Sequence, residues 1–192
     1  ESHASITGAG KVKVTSGINK LNVVVKSETG IEKIYTLNVE VKDKNPINVT
    51  VNKKDYTLVK LKENLTAPKL FEETTVTIDG YEIPAFKNSA TDIILVGLKD
   101  DEGTISLFKY ANNHYEKFNE LNLNDLLIIP TAFTKNLEYT KTTIKINGEE
   151  IEAYKYSNKS EFVIINATNL ENGKTELYLY DTKNNSFWWR IH

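Results

Sequence analysis

The chain has 192 residues and a formal net charge of −2, and 40% of its residues are apolar, which is ordinary for a folded soluble protein of one to three small domains. The near-neutral charge and the single arginine, Arg190, disfavour recognition of nucleic acid or anionic lipid, because such proteins rely on a strong positive field and on arginine forks. The absence of cysteine excludes disulfides, thiol catalysis and zinc sites of the cysteine type.

The chain begins with Glu1 and contains no methionine, so we expect it to be a segment of a longer protein. No stretch approaches the ~18 apolar residues of a transmembrane helix, and we expect no membrane contact by this segment itself. Tyr, Val, Ile, Thr and Phe are plentiful while Gly and Pro are few, which favours sheet over helix.

Two strands with alternating apolar residues dominate residues 1–43. Leu21–Val25 and Ile34–Val41 each place apolar side chains on one face, which is typical of half-buried strands. Ser27–Gly30 between them predicts a turn, so the two strands form a hairpin. Before this hairpin, Lys11–Val14 predicts a short strand and Gly17–Asn19 predicts a turn.

Residues 4–43 resemble the second half of the bacterial cadherin-like β-sandwich domain. Its usual pattern is a G-x-N-x-[IL]-x-V-x-V strand, an acidic turn that closes with glycine, and a K-x-Y-T-[IL]-x-V strand. The matching residues are Gly17, Asn19, Leu21, Val23, Val25, Glu28, Gly30, Lys33, Tyr35, Thr36, Leu37 and Val39. The resemblance implies a partial β-sandwich that lacks the first strands of the domain. The acidic calcium motifs of true cadherins are absent, so we expect no calcium site of that kind.

A linker at Asp43–Pro46 precedes a further predicted hairpin, because Asn-Pro is a turn signal and proline cannot donate to a β-ladder. The hairpin pairs Ile47–Val51 with Tyr56–Val59 around the turn at Asn52–Asp55.

The best-defined feature is a hairpin that occurs twice, as Thr74–Lys87 and Thr142–Lys155. The two copies are 68 positions apart, since Thr75 matches Thr143 and 143 − 75 = 68. Each copy contains Asp-Gly or Asn-Gly, which favour a two-residue turn with positive φ at both positions.

The similarity extends beyond the hairpin. Leu58–Leu61 corresponds to Leu126–Ile129, and the apolar run Ile93–Val96 corresponds to Phe162–Ile165. Each unit is predicted to be a meander of about five short strands, and similarity at such a period indicates duplication. The only plausible helical stretch is Asn119–Leu127. We therefore predict an all-β chain with three parts, namely a partial β-sandwich at 1–43, a first β repeat with its preceding hairpin at 44–123, and a second β repeat at 124–192.

Pro84 stands in the second strand of the first repeated hairpin, where the other copy has Glu152. Proline lacks the N–H that a central strand must donate, so we predict an edge or bulged strand at this position.

Motifs that would indicate catalysis or metal binding are missing. His3, His114 and His192 lack metal-ligand spacing, and the acids at Asp100–Glu102 form a short turn without the oxygen spacing of a calcium loop. There is no nucleophile elbow, glycine-rich phosphate loop or zinc-protease motif. We expect no catalytic residues, no metal and no cofactor.

Aromatic residues near the C-terminus are the best candidates for binding, because aromatic rings stack on sugars and serve interfaces. The predicted ligand-binding residues are Trp188, Tyr178 and Tyr180. The competing interpretation is structural, with Phe187 and Trp189 packed inside and Trp188 covering a sheet edge or a neighbour.

The repeat block also resembles the region that follows cadherin-like domains in uncharacterised surface proteins of Firmicutes, which implies an extracellular location in the bacterial cell envelope. We expect a non-catalytic module that acts as a stalk or as an adhesion or interaction domain, with a host or cell-wall glycan or protein as its partner. One alternative is a carbohydrate- or peptide-binding module that uses the C-terminal aromatics. The other is an enzyme domain with a cleft between the repeats.

Overall fold

The chain is all-β, as the sequence predicts. A computed structural model describes residues 3–14, 17–123, 126–158 and 161–191. The chain divides into two compact units, Glu1–Ile47 and Asn48–His192. In the described part of the chain, no helix has the length and apolar character needed to cross a membrane.

The first unit contains an antiparallel sheet of β1 (Ser5–Thr7), β2 (Gly17–Lys26) and β3 (Glu32–Val41) in the order β1-β2-β3. The predicted hairpin is confirmed, with Leu21 opposite Leu37 and Val23 opposite Tyr35. The face that carries these pairs is apolar yet open, since Tyr35 is 48% and Leu37 is 51% exposed.

Two local predictions for this unit are wrong. Lys11–Val14 has no strand structure, and the short strand lies earlier, at β1. Gly17–Asn19 belongs to β2 and is not a turn, because β3 is long enough to pair with it from Val41 to Val39.

The described residues of the second unit form two seven-stranded sheets. We call β4–β10 the first repeat and β11–β17 the second repeat. The first repeat consists of β4 (Asn48–Val51), β5 (Lys54–Leu58), β6 (Glu72–Ile78), β7 (Tyr81–Lys87), β8 (Ile94–Lys99), β9 (Ile105–Ala111) and β10 (His114–Lys117), with a 3-10 turn at Lys62–Asn64. The second repeat consists of β11 (Leu121–Leu123), β12 (Leu126–Pro130), β13 (Thr140–Ile146), β14 (Glu149–Lys155), β15 (Phe162–Asn169), β16 (Thr175–Asp181) and β17 (Ser186–Ile191).

Both sheets have the same topology. In the first repeat β6 to β10 form a meander, and the hairpin β4-β5 joins it because β5 pairs with β8. In the second repeat β13 to β17 form the meander, and β12 pairs with β15 in the same way. The hairpin that precedes the first repeat is therefore itself duplicated, as β11-β12.

This duplication corrects the predicted alignment of the repeats. The backbone N–H of Val59 donates to Gly97 and that of Thr131 donates to Asn166, so Val59 is equivalent to Thr131 at an offset of 131 − 59 = 72. The predicted match of Leu58–Leu61 with Leu126–Ile129 used an offset of 68 and is wrong by four residues. Apolar similarity alone did not determine the register, because the connection between β5 and β6 is four residues longer than that between β12 and β13.

The predicted helical stretch Asn119–Leu127 is also wrong where the structure describes it. Leu121–Leu123 pairs with Leu126–Ile128 as β11 and the start of β12. Leu121 is buried in the core of the second repeat.

The hairpin turns agree with the sequence. Asp79 and Gly80 have φ of 50° and 79°, and Asn147 and Gly148 have φ of 54° and 81°, so both turns have positive φ at their two central positions as predicted.

Pro84 lies where β7 has one neighbour. It faces Thr75 of β6, whereas pairing with β8 begins only at Ala85. The prediction of an edge or bulged strand is wrong for β7, which pairs with both β6 and β8, although Pro84 itself precedes the residues that pair with β8.

Apolar clusters of buried side chains organise the second unit, and two of them concern the second repeat. One fills the second repeat and includes Ile128, Ile165 and Ala167, which are fully buried. The other joins the repeats, with Phe71, Phe86 and Leu95 from the first packed against Leu127, Ile129 and Leu170 from the second. We call this second cluster the junction.

A buried amide reinforces the junction. The side-chain N–H groups of Asn88 donate to the carbonyls of Leu70 and Leu170, both at 2.9 Å, and thereby join the two repeats. Its carbonyl oxygen accepts from the backbone and hydroxyl of Thr91 at 2.9 and 2.8 Å. All four hydrogen bonds of this amide are thus made, as its burial requires.

Candidate functional site

The structure separates the three predicted ligand-binding residues. Tyr178 and Tyr180 are 5% and 3% exposed and belong to the core of the second repeat, whereas Trp188 is 53% exposed. Tyr178 and Tyr180 therefore do not form one binding surface with Trp188 in this structure.

Tyr180 has a structural environment. Its ring contacts Phe187 at a centroid distance of 4.7 Å, and its hydroxyl donates to Asn185 Oδ1 at 3.1 Å. Burial, followed by the nearby carboxylate of Asp181, raises the pKa of Tyr180 above its usual value. The inward packing of Phe187 agrees with the structural interpretation of this strand, and the side chain of Trp189 lies outside the described part.

Trp188 occupies a break in the pairing of β16 and β17. Tyr180 pairs with Phe187 and Leu179 pairs with Trp189, so Trp188 has no residue opposite it, as in a β-bulge. Because the neighbouring Phe187 packs against the core, strand alternation places the indole of Trp188 on the opposite, exposed face.

A buried carboxylate, that of Asp181, lies near the indole of Trp188. Asp181 is 1% exposed, and it accepts from the backbone N–H of Asn184 at 3.0 Å, from the Asn184 side chain at 2.8 Å and from the backbone N–H of Lys183 at 2.9 Å. The backbone N–H of Asn184 contributes most to a lowered pKa of Asp181, and the nearby Trp188 side chain contributes least.

Other rings are exposed on the second repeat. Phe162 contacts Trp188 edge-on at a centroid distance of 5.8 Å. Tyr156, whose backbone N–H bonds to the carbonyl of Phe162, is 47% exposed and stacks with Tyr139 at 6.1 Å and an interplanar angle of 21°. We call Tyr139, Tyr156, Phe162 and Trp188 the aromatic patch.

The sequence pattern did not identify Tyr139 and Tyr156 as members of a site. One available signal was the repeat alignment, in which Tyr139 matches the buried Phe71 and Tyr156 matches the buried Asn88. Tyr139 and Tyr156 occupy positions equivalent to residues that are buried at the junction, yet both tyrosines are exposed. This indicates a surface on the second repeat that is similar to the junction surface of the first repeat but is not covered by another repeat.

The acidic stretch Asp100–Glu102 forms a turn and contributes to a surface ion pair. Asp100 Oδ1 accepts from the backbone of Glu102 and Thr104, and its other oxygen pairs with Lys54 at 2.9 Å. The bond to Lys54, with those backbone bonds, keeps the pKa of Asp100 below its usual value. This geometry supports the interpretation of Asp100–Glu102 as a turn. Among the described residues, no group of three or more His, Cys, Asp or Glu side chains is arranged to hold a metal ion.

The comparisons with known proteins give no relative. No family model, no curated protein and no solved structure matches the chain. The functional argument therefore depends on the contacts described above, and the aromatic patch is the surface best suited to bind a partner.

Proposed function

We propose that the chain is a non-catalytic module of a bacterial surface protein, which serves as a stalk or as an adhesion and interaction domain. The observation that carries the proposal is the junction, where two repeats of identical topology bury apolar side chains against each other. A shared apolar core holds two domains in one fixed arrangement, whereas a small polar interface allows them to move. The resemblance of residues 4–43 to a bacterial cadherin-like domain supports the surface location.

The stalk function requires that the two repeats behave as one rigid body. Relaxation of backbone ¹⁵N nuclei in the 192-residue chain measures the rotational correlation time of each repeat separately. We expect a common correlation time for the first and second repeats. Two independent values would contradict a rigid stalk.

The surface location has its own test. Antibodies raised against the second unit, Asn48–His192, are applied to intact and to lysed cells of the bacterium that encodes the protein. We expect labelling of intact cells. Labelling only after lysis would exclude an extracellular location.

A carbohydrate- or peptide-binding function is the second candidate, and the exposed indole of Trp188, which contacts Phe162 edge-on, favours it. A rigid, exposed aromatic ring binds a sugar face with little loss of conformational entropy. The test is a glycan array probed with the wild-type chain, with Trp188→Ala, and with Tyr81→Ala as a control for an exposed tyrosine on the first repeat. Binding that is lost only in Trp188→Ala supports this function, and a blank array removes its basis.

A further inference from the structure

The two repeats contact each other through different faces. The first repeat contributes Phe71, Phe86 and Leu95, and the second contributes Leu127, Ile129 and Leu170. We call Phe71, Phe86 and Leu95, together with the equivalent residues of the second repeat, the aromatic face. We call Leu127, Ile129 and Leu170, together with the equivalent residues of the first repeat, the aliphatic face. A contact between unlike faces is heterologous, so each repeat keeps one face that the junction does not use.

The unused aliphatic face of the first repeat is polar. Since Val59 is equivalent to Thr131, Leu127 corresponds to Asp55 and Ile129 corresponds to Thr57. Asp100 and Asn169 both accept the backbone N–H two residues later, which makes Leu170 equivalent to Asp101. Asp55 and Asp101 are exposed to solvent. This end of the pair therefore resembles the polar outer face of a capping repeat.

The unused aromatic face of the second repeat keeps its apolar character. The repeated hairpins make Tyr139 equivalent to Phe71 and Tyr154 equivalent to Phe86. Phe86 pairs with Leu95 and Tyr154 pairs with Ile164, so Ile164 takes the position of Leu95. All three positions that enter the junction in the first repeat thus carry large apolar or aromatic residues in the second.

Part of this face is covered and part is open. Phe133, from the connection before β13, contacts the ring of Tyr154 at 4.8 Å. The aromatic patch remains open, with exposed fractions of 45% for Tyr139, 47% for Tyr156 and 53% for Trp188. The aromatic patch belongs to the same face of the second repeat that, in the first repeat, forms the junction.

We propose that the aromatic patch docks a further unit of this β repeat, which presents aliphatic residues at the positions of Leu127, Ile129 and Leu170. The contact is made on the open part of the aromatic face, since Tyr154 and Ile164, the equivalents of Phe86 and Leu95, are already buried at 2% exposure. A second copy of the whole chain does not meet this requirement, because its aliphatic residues are already buried and its free aliphatic face carries Asp55 and Asp101. The inference rests on the rigid coupling of repeats in the proposed function.

The test is an extended chain in which a second copy of residues 119–192 follows Ile191. Ile191 pairs with Leu177, and the backbone N–H of Phe118 donates to Leu107, which is the equivalent of Leu177. Ile191 is therefore equivalent to Phe118, and the added copy follows Ile191 as residue 119 follows Phe118. All tryptophans except the original Trp188 are replaced by phenylalanine. Acrylamide quenching of that single fluorophore then measures whether the added repeat covers the patch.

The matched control carries L127D, I129T and L170D in the added copy only. These are the residues that the first repeat has at the equivalent positions, so the control copy retains a face that the fold tolerates. We expect quenching of Trp188 to fall severalfold on addition of the wild-type copy and to stay unchanged with the control copy. Circular dichroism verifies that both added copies are folded.

Equal quenching of Trp188 in the unextended chain and in both extended chains would overturn the proposal. Protection of Trp188 by a soluble oligosaccharide in the unextended chain, with none from the added repeat, would also overturn it in favour of glycan binding. The ¹⁵N relaxation of the unextended chain reports the coupling of the first two repeats separately. Failure of the proposed stalk and failure of this docking are therefore distinguishable.

Discussion

Asn88 shows how one side chain joins the two repeats. It is 2% exposed, and its amide links the carbonyl of Leu170 in the second repeat to Leu70 and Thr91 in the first. Replacement by alanine leaves buried donors and acceptors without partners, each at a cost of about 1–3 kcal/mol. We expect Asn88→Ala to lower the free energy of unfolding by about 3 kcal/mol, measured by urea denaturation.

The matched control is Tyr156→Ala at the equivalent position of the second repeat. Tyr156 is exposed and stacks only on the equally exposed Tyr139 among the ring contacts described, so its loss should cost under about 1 kcal/mol. Similar losses for both variants would mean that the amide of Asn88 does not stabilise the junction.

Glu120 opposes stability at neutral pH. Its Oε2 atom is buried and has no hydrogen-bond partner among the described residues. Burial raises the pKa of Glu120 above 4.5, and Lys69 offsets only part of this effect. Because the folded-state pKa is the higher one, the carboxylate destabilises the fold above that pKa, and this penalty disappears as the pH falls through it towards 4.5.

We therefore expect Glu120→Gln to raise the melting temperature at pH 7 and to lose this advantage progressively on acidification. Thermal unfolding followed from pH 7 to pH 4 measures the difference. Glu63→Gln, at an exposed position, should stay within about 0.5 kcal/mol of wild type throughout. A stabilisation by Glu120→Gln that grows as the pH falls contradicts the assigned cause.

At the scale of elements, the bulge in β17 leaves the exposed residue Trp188 without a residue opposite it in β16. The first repeat has no carboxylate at the position of Asp181. The equivalent residue there is Ala111, which pairs with His114 as Asp181 pairs with Ser186. Because its folded-state pKa is depressed, the carboxylate stabilises the strand above its unfolded-state pKa of about 3.8, and the effect is lost as the pH falls through the lower folded value.

We expect the fluorescence anisotropy of Trp188, measured in a Trp189→Phe background, to be constant from pH 8 to about pH 4. Asp181→Ala should lower the anisotropy across that whole range, because the indole loses its interaction with the Asp181 carboxylate. An unchanged anisotropy in Asp181→Ala would show that the contact with Phe162 alone holds the ring.

Turn chemistry made several elements predictable from sequence. Asp79-Gly80 and Asn147-Gly148 tolerate positive φ, so both hairpins and the duplication they mark were predicted correctly. The structure of Asn119–Leu127 was not predicted correctly, because short apolar segments fit helix and strand equally well and long-range pairing decides between them. The bulge at Trp188 was not predictable either, since it depends on the register between β16 and β17.

At the scale of the whole second unit, the junction should make unfolding cooperative. Phe71, Phe86 and Leu95 lose their apolar contacts if the second repeat unfolds alone. We expect one urea transition for the second unit when it is followed both by far-ultraviolet circular dichroism and by hydrogen exchange of the first repeat. Two separated transitions would indicate independent repeats.

The sequence could not reveal this junction, and the aromatic patch depends on it. Phe71 and Leu170 are about a hundred residues apart, and no local pattern distinguishes an apolar residue that faces its own sheet from one that faces the next repeat. The burial of the predicted site residues Tyr178 and Tyr180 was not predictable for the same reason. The density of aromatic residues near the C-terminus does not show which face of a strand is covered.

The most direct test of the head-to-tail junction compares two glycines. Gly173 and Gly103 are equivalent and have φ of 71° and 85°, so alanine strains the backbone at both positions. A Cβ at Gly173 would lie 2.3 Å from the carbonyl oxygen of Ala90 in the first repeat, whereas a Cβ at Gly103 would have nothing within 4 Å. We expect urea denaturation to show a loss of about 1–2 kcal/mol for Gly103→Ala and of at least about 1–3 kcal/mol more for Gly173→Ala. Equal losses for the two variants would contradict the junction between the repeats.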